Sequence, residues 1–321
     1  MSLPARPRRA LVASLVGAGL LLCGCGLDTS SSADSATDDG PVTIGFVNGG
    51  STQFHTCLQQ AVSDAAQSNF AKLVTANSRQ DADKELANIR DMIKRHVDAI
   101  IVQTVNTDAL KDDIALANKA KIPIFLTSVS VEPSKILGAV TVDLNEVGKL
   151  DAQWVAGDAG GRSVQVGVIA GAPGAASDLL VGGFTKALPS TADVVDNQPG
   201  MYDDATAKAV AQKMIAAHPG LNYAFVANEE MAFAARKAFD AAGATGVKIV
   251  SVNGTDEGLA ALKDGRLAAT VSNSANDTGQ LAVTNVVGLL RKDKVDKIDK
   301  TPIRLVTKGN ADTAPLYCPT T

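Results

Sequence analysis

The stretch FVANEEMAFAARKAFDAAG (225–243) places two carboxylates, Glu229 and Glu230, directly after an apolar run that ends in Asn228. Paired carboxylates can serve as general acid and base when both reach one substrate. Here a strand passes into a helix at Asn228, a preferred N-cap residue, so both acids occupy the first helical turn. Negative charge there complements the helix dipole, worth roughly 0.3–1 kcal/mol each. Consecutive helical residues also point about 100° apart, which keeps the two carboxylates from sharing a ligand. The pair reads as a helix start, and Asn228 as the recognition residue.

Other signatures of catalysis fail in the same way. No Gly-x-Gly-x-x-Gly follows the first strand, GAPGAAS matches neither that pattern nor a P-loop, and no Gly-x-Ser-x-Gly elbow occurs. The histidines His55, His96 and His218 lack metal-ligand spacing, and the last two fall at helix C-termini, where a cation is favoured. His55 lies beside Phe54 in a loop, and both a ligand contact and a capping role are open to it. A hydrolase or isomerase would need Asp178 and His55 on one substrate. No catalytic residue, metal or cofactor is expected.

The elements that must position these residues alternate regularly. VTIGFVN (42–48), AKLVTAN, VDAIIVQTV and IPIFLTS read as short apolar strands, separated by helices through Ala65, over 81–96 and over 107–120. A second run starts near Asp143. Helices over 145–158, 175–188, 203–218, 229–242 and 255–264 alternate there with the strands SVQVGVIAG, ADVVDNQ, YAFVAN, VKIVSVNG and LAATVSN. Near-continuous Val/Ile runs between amphipathic helices imply parallel sheets covered on both faces. The series is too long for one sheet of ordinary width, so the fold class is α/β with two doubly wound parallel-sheet lobes. The expected division is 42–142 plus 274–303 for the N-terminal lobe and 143–273 plus 304–321 for the C-terminal lobe.

In such sheets ligands meet the loops beyond the strands' carboxyl ends. Those loops hold Gly49 to His55, Gln103, Thr127, Ser128, Ala172 to Asp178, Tyr202, Asn228, Asn253 and Asn273. Neutral amides and hydroxyls dominate. They offer donors and acceptors together, as a ligand bearing several hydroxyls requires, and aromatic faces cover the C–H faces of such ligands.

Composition narrows the setting. At 45% hydrophobic and 20% charged residues, with a net charge of −4, the chain has globular composition and no nucleic-acid footprint. Residues 1–24 carry a basic start (Arg6, Arg8, Arg9), an apolar run and then small residues, the pattern of a secretory signal peptide. Leu22-Cys23-Gly24-Cys25 resembles the bacterial lipobox, with Cys25 in the lipidated slot; a plain signal peptide is the alternative, and the Sec and twin-arginine routes are both open. Cleavage removes three arginines from 30 basic residues and none of the 34 acids, leaving net −7. Residues 25–41 read as a flexible tether from the lipid to the first strand. Of four cysteines, Cys57 and Cys318 then remain, either as a disulfide between the tail and the first helix or as two free thiols.

From residue 42 to about 308 the chain resembles the type I periplasmic sugar-binding proteins, the ribose-binding and LacI-like group. The resemblance is carried by DADKELANIRDMIKRHVDAIIVQ, ANKAKIPIFLTS, NEEMAFAA, VSVNGTDEGLAALKDGRLAATVSN and DTGQLA, in order and at family spacing. It implies a three-segment hinge and closure around the ligand. It also implies ABC permease subunits as partners, a monomer anchored outside the cytoplasm by its lipid, and import of a sugar or sugar alcohol; presentation of a ligand to a sensory receptor is the alternative. By position, Asn228, Asn253 and Asn273 match the family's second-lobe and hinge contacts, Tyr202 an aromatic, and Phe54 and His55 paired stacking aromatics. Three positions depart from ribose-type members: Thr127-Ser128 replaces an Asp-Arg pair, Asp178 an Arg, and Asn253 an Asp. Charge-assisted hydrogen bonds are about twice as strong as neutral ones, so the resemblance implies a changed specificity, toward a smaller or acyclic polyol or a less usual pentose.

Overall fold

The computed structural model describes residues 40–320. The predicted signal peptide, Cys25 and most of the tether lie outside them.

The first run is built as β1 (Thr43–Asn48), α1 (Gln53–Ser68), β2 (Lys72–Asn77), α2 (Ala82–Lys94), β3 (Ala99–Val102), α3 (Leu110–Lys119), β4 (Ile124–Ser128) and β5 (Gly138–Thr141). The chain continues through α4 (Leu144–Ala159), β6 (Val164–Ala170), α5 (Ala175–Ala187), β7 (Ala192–Pro199), α6 (Asp204–Ala217), β8 (Tyr223–Val226), α7 (Glu229–Ala241), β9 (Lys248–Asn253), α8 (Asp256–Asp264) and β10 (Ala269–Asn273). It ends with α9 (Ala275–Arg291), β11 (Ile298–Lys300) and β12 (Ile303–Thr307).

Strand β3, AIIV, is buried at every position, as both faces of a doubly covered parallel sheet require. Helix starts follow their sequence signals. Asp81, Asp143, Asp203, Asn228, Thr255 and Ser274 each accept a backbone N–H from the first turn of the helix they open. Thr52 makes no such bond to α1, whose first turn also lacks an acid.

Two six-stranded sheets result, ordered β11-β5-β4-β3-β1-β2 and β12-β10-β9-β8-β6-β7. From Pro41 on, both belong to one compact unit. In each, the strand order reverses beside its first strand, so the loops after β1 and β3, and after β6 and β8, flank the two switch points. The chain passes between lobes after β5, after β10 and between β11 and β12. β11 runs parallel to β5, toward the gap, so the short link from Lys300 to Ile303 enters the second sheet from its cleft end. β12 must therefore run antiparallel to β10, and it does.

Three features depart from the sequence reading. The strands GAVT (β5) and IDK (β11) lack its apolar signal, because each is too short or too polar to show one; pairing with neighbours makes them strands. The sheets are not wholly parallel, as β12 shows. The tail beyond residue 304 does not stay with the second lobe. Residues 311–313 pack on α8, but Tyr317 is 2% exposed within the first lobe's core, and Cys318 is joined to Cys57 of α1 by a disulfide with Cα atoms 4.9 Å apart. The Tyr317 carbonyl accepts from the Asn276 N–H (3.0 Å) and the Leu316 carbonyl from the Ser274 hydroxyl (2.6 Å), so the tail also clasps the second crossing segment.

Candidate functional site

Asparagine ends five strands at the cleft: Asn48 on β1, Asn77 on β2, Asn253 on β9, Asn273 on β10 and, two residues beyond β8, Asn228. At that position the backbone leaves the ladder and turns, and an amide side chain can cap the turn or face a ligand. Asn48 has a buried Oδ1 with no partner, while its Nδ2 donates to the His55 carbonyl at 2.9 Å. The Asn273 Oδ1 is likewise buried and unpartnered. Buried unpaired acceptors are costly in a folded chain, so each still has room for a donor. Asn48 was not singled out from the sequence, although it ends its strand as Asn228 and Asn253 do.

Across the first lobe, the Gln103 Oε1 accepts from the hydroxyls of Thr127 and, at 3.1 Å, Ser128. With the oxygen engaged, Gln103 has its two amide hydrogens left to donate. Thr127 and Ser128 thus orient Gln103 rather than replacing an ion pair's charge; Thr127 itself is fully buried. The His55 Nδ1 lies 2.8 Å from the Thr52 hydroxyl, and burial pushes its pKa down to about 4, so the ring is neutral. A Cβ at Gly50 would press on the Gln80 amide and meet the His55 ring at 2.9 Å, so a side chain here would displace the Gln80 amide from this loop. Phe54 meets the His55 ring edge-on, 6.0 Å between centroids, and packs against the first lobe's core.

In the second lobe, the Tyr202 ring lies against Gly171, where a Cβ would collide with it, and burial raises its hydroxyl to about pKa 12. Asn228 is 5% exposed; its Oδ1 accepts from Met231 N–H at 3.0 Å and its Nδ2 donates to Glu230 at 3.2 Å. Asn253 is 6% exposed with φ +138°, a strained backbone for a residue other than glycine. Asp178 is exposed on α5, and the His55 ring bonds Thr52 instead of a carboxylate, so this pair is not assembled as acid and base.

Glu229 and Glu230 take different roles. Glu229 is fully buried and accepts from Gly254 N–H (2.9 Å), Thr255 N–H (2.9 Å) and the Thr270 hydroxyl (2.6 Å), binding three second-lobe segments together. Glu230 reaches over the cleft. A cavity of about 400 Å³ lies between the lobes, lined by Ser51, Thr52 and Gln80 on one side and Met201, Tyr202, Asp203, Asp204 and Glu230 on the other. Of the loop residues predicted from sequence, Ser51, Thr52 and Tyr202 line it; Phe54, His55, Gln103, Thr127, Ser128, Asp178, Asn228, Asn253 and Asn273 are not among its lining residues, and Gln80, Met201, Asp203, Asp204 and Glu230 were missed. The left-handed turn at Met201 and Tyr202 (φ +61° and +52°) sets that wall, and nothing in their residue types announces it. No Lys or Arg faces this cavity, and no group of three or more potential metal ligands occurs among the described residues.

Residues 44–294 match the model of the periplasmic binding protein domain. The ribose import binding protein of Bacillus subtilis is 26% identical over 256 residues, covering 79% of this chain and 83% of that protein. The xylitol-binding protein of Mycolicibacterium smegmatis is 27% identical over 309 residues, covering 94% and 85%. A solute-binding protein of an ABC transporter from Mycobacterium smegmatis, solved with bound glycerol, shares the fold with a TM-score of 0.82 at 24% identity, covering 88% of this chain and 100% of that one. The two lobes and these matches agree: the chain belongs to the periplasmic binding protein domain family, in its type I sugar-binding branch, and the relatives named here are binding proteins.

Proposed function

We propose that the protein is the extracytoplasmic receptor of an ABC importer and takes a small, neutral, polyhydroxylated ligand, a pentose or a polyol, between its lobes. One observation carries this reading: the cavity between the lobes is lined by hydroxyls (Ser51, Thr52, Tyr202), an amide (Gln80) and carboxylates (Asp203, Asp204, Glu230), with no Lys or Arg among its described lining residues. Carboxylates and amide oxygens accept from hydroxyls, and amide hydrogens donate to them. The same carboxylates repel sugar phosphates and sugar acids. The absence of the Asp-Arg pair argues against ribose itself, and the relatives that bind ribose and xylitol support the ligand class.

In this reading Cys25 carries the lipid, the tether displays the lobes at the outer face of the cytoplasmic membrane or in the periplasm, and the closed monomer delivers ligand to the permease subunits. Gln103, Asn228, Asn253, Asn273 and Tyr202 contact the ligand. Phe54 supports the His55 ring instead of stacking on the ligand. A thermal-shift screen of aldoses, ketoses and C3–C6 polyols tests it. A ligand at 100 times its Kd adds about 2.7 kcal/mol, a rise of a few degrees. A rise with sugar phosphates and none with neutral compounds contradicts the proposal.

A further inference from the structure

Helix α1 opens on the cleft without a cap of its own. The Thr52 hydroxyl is engaged by His55, its side chain makes no capping bond, and the first turn carries no acid. Helices α2, α4, α6, α7, α8 and α9 all cap themselves. The first N–H of α1, on Gln53, instead donates to Glu230 Oε1 at 3.1 Å, a residue 177 positions away on the opposite lobe. The other oxygen of the same carboxylate accepts from Asn228 Nδ2 at 3.2 Å. Glu230 therefore bridges the uncapped end of a first-lobe helix and a recognition amide of the second lobe.

Two consequences follow. The Gln53 contact spans the cleft, so hinge opening must break it and leave an orphan N–H at the start of α1. The Asn228 amide is also fully oriented: its oxygen caps α7, one hydrogen goes to Glu230, and one hydrogen remains. Resting on the reading that ligand sits between the lobes, we propose that Glu230 is a positioning residue that latches the closed state by capping α1 in trans and holds Asn228 as a single-hydrogen donor to the ligand. Closure and recognition are thereby tied to one carboxylate, and the latch holds the ligand-free molecule partly closed.

The test uses two variants at opposite ends of the bond. Glu230→Ala removes the acceptor. Gln53→Pro removes the N–H donor together with an exposed side chain: proline is favoured at the first helical position, and Thr52, with φ −64° and ψ 169°, already has the conformation a following proline requires. A hydrogen bond to a charged group of this kind corresponds to a shift of roughly tenfold to a hundredfold toward the open state. Small-angle scattering of the ligand-free proteins should show a larger radius of gyration for each variant than for wild type. The double variant should be no more open than either single one. Hydrogen exchange at the start of α1 should quicken in Glu230→Ala while the unfolding midpoint stays close to wild type, which a merely structural role would not produce. With xylitol and D-ribose as probes, the variants should release ligand faster with little change in association rate. Unchanged scattering and unchanged exchange in Glu230→Ala overturn the proposal. If neither probe binds wild type but scattering responds as expected, the latch stands and the ligand class is what fails.

Discussion

Asp151, on the inner face of α4, is completely buried, and neither carboxyl oxygen has a hydrogen-bond partner. Burial, with the charge of Glu229 close by, holds its pKa well above the ordinary carboxylate value. Of the two acids Glu229 is the one that receives three donors, so the negative charge resides there and the proton on Asp151. An unfolded Asp ionises near pH 3.8, whereas the folded one keeps its proton. The folded state thus binds more protons, and its stability falls as pH rises from about 3.8 toward the folded pKa. The slope is about 1.4 kcal/mol per pH unit. Asp151→Asn keeps the shape and the neutrality of the protonated acid but has no proton to lose. The variant should gain on wild type by about 1.4 kcal/mol for each unit of pH in that window, the difference being fully absent below it. Urea unfolding at pH 3, 4, 5, 6 and 7, compared at equal m-values, reads this difference directly. A wild-type/variant gap that is the same at pH 3 and pH 7, on either side of the start of that window, would refute the assignment of a buried, protonated Asp151.

Three further outcomes follow from neighbouring groups. Glu229→Ala strands three buried donors, at roughly 1–3 kcal/mol each, and should lower unfolding stability by at least about 3 kcal/mol in urea titrations. Reduction of Cys57–Cys318, which closes a 261-residue separation, should remove on the order of 2–5 kcal/mol; melting with and without dithiothreitol should show a drop in wild type and none in Cys57→Ser/Cys318→Ser. His55, depressed from 6.5 to about 4, stabilises fully above pH 6.5, and that contribution is lost as pH falls toward 4. Its replacement by Gln should flatten this limb by as much as about 3 kcal/mol between those values, measured as the change in unfolding free energy against pH.

The alternation of Val/Ile strands with capped amphipathic helices made both lobes legible, because parallel sheets bury both faces and leave a continuous apolar trace. Strands β5 and β11 left none: Gly138–Thr141 is four residues long, and Ile298–Lys300 ends in Asp and Lys. The asparagines at strand ends were readable as turn residues, and Asn228 caps α7 as its position predicts. The positions that escaped the sequence depend on contacts between distant segments. Glu230 looks like dipole compensation until Gln53 arrives from the other lobe. Thr127 and Ser128 look like ligand contacts until the Gln103 oxygen is seen to occupy their hydroxyls. Phe54 looks like a stacking platform until the first lobe's core claims it.

The most direct test is isothermal titration of the chain from Gly26 on, unfolded and refolded to strip any carried ligand, with neutral pentoses and C3–C6 polyols. The ligand recovered afterwards is checked by NMR. The account predicts saturable binding of one equivalent by at least one of these compounds, weakened by Asn228→Ala, with the compound recovered chemically unchanged. Heat-silent titrations across the whole panel, or a compound returned as a different molecule, would contradict it.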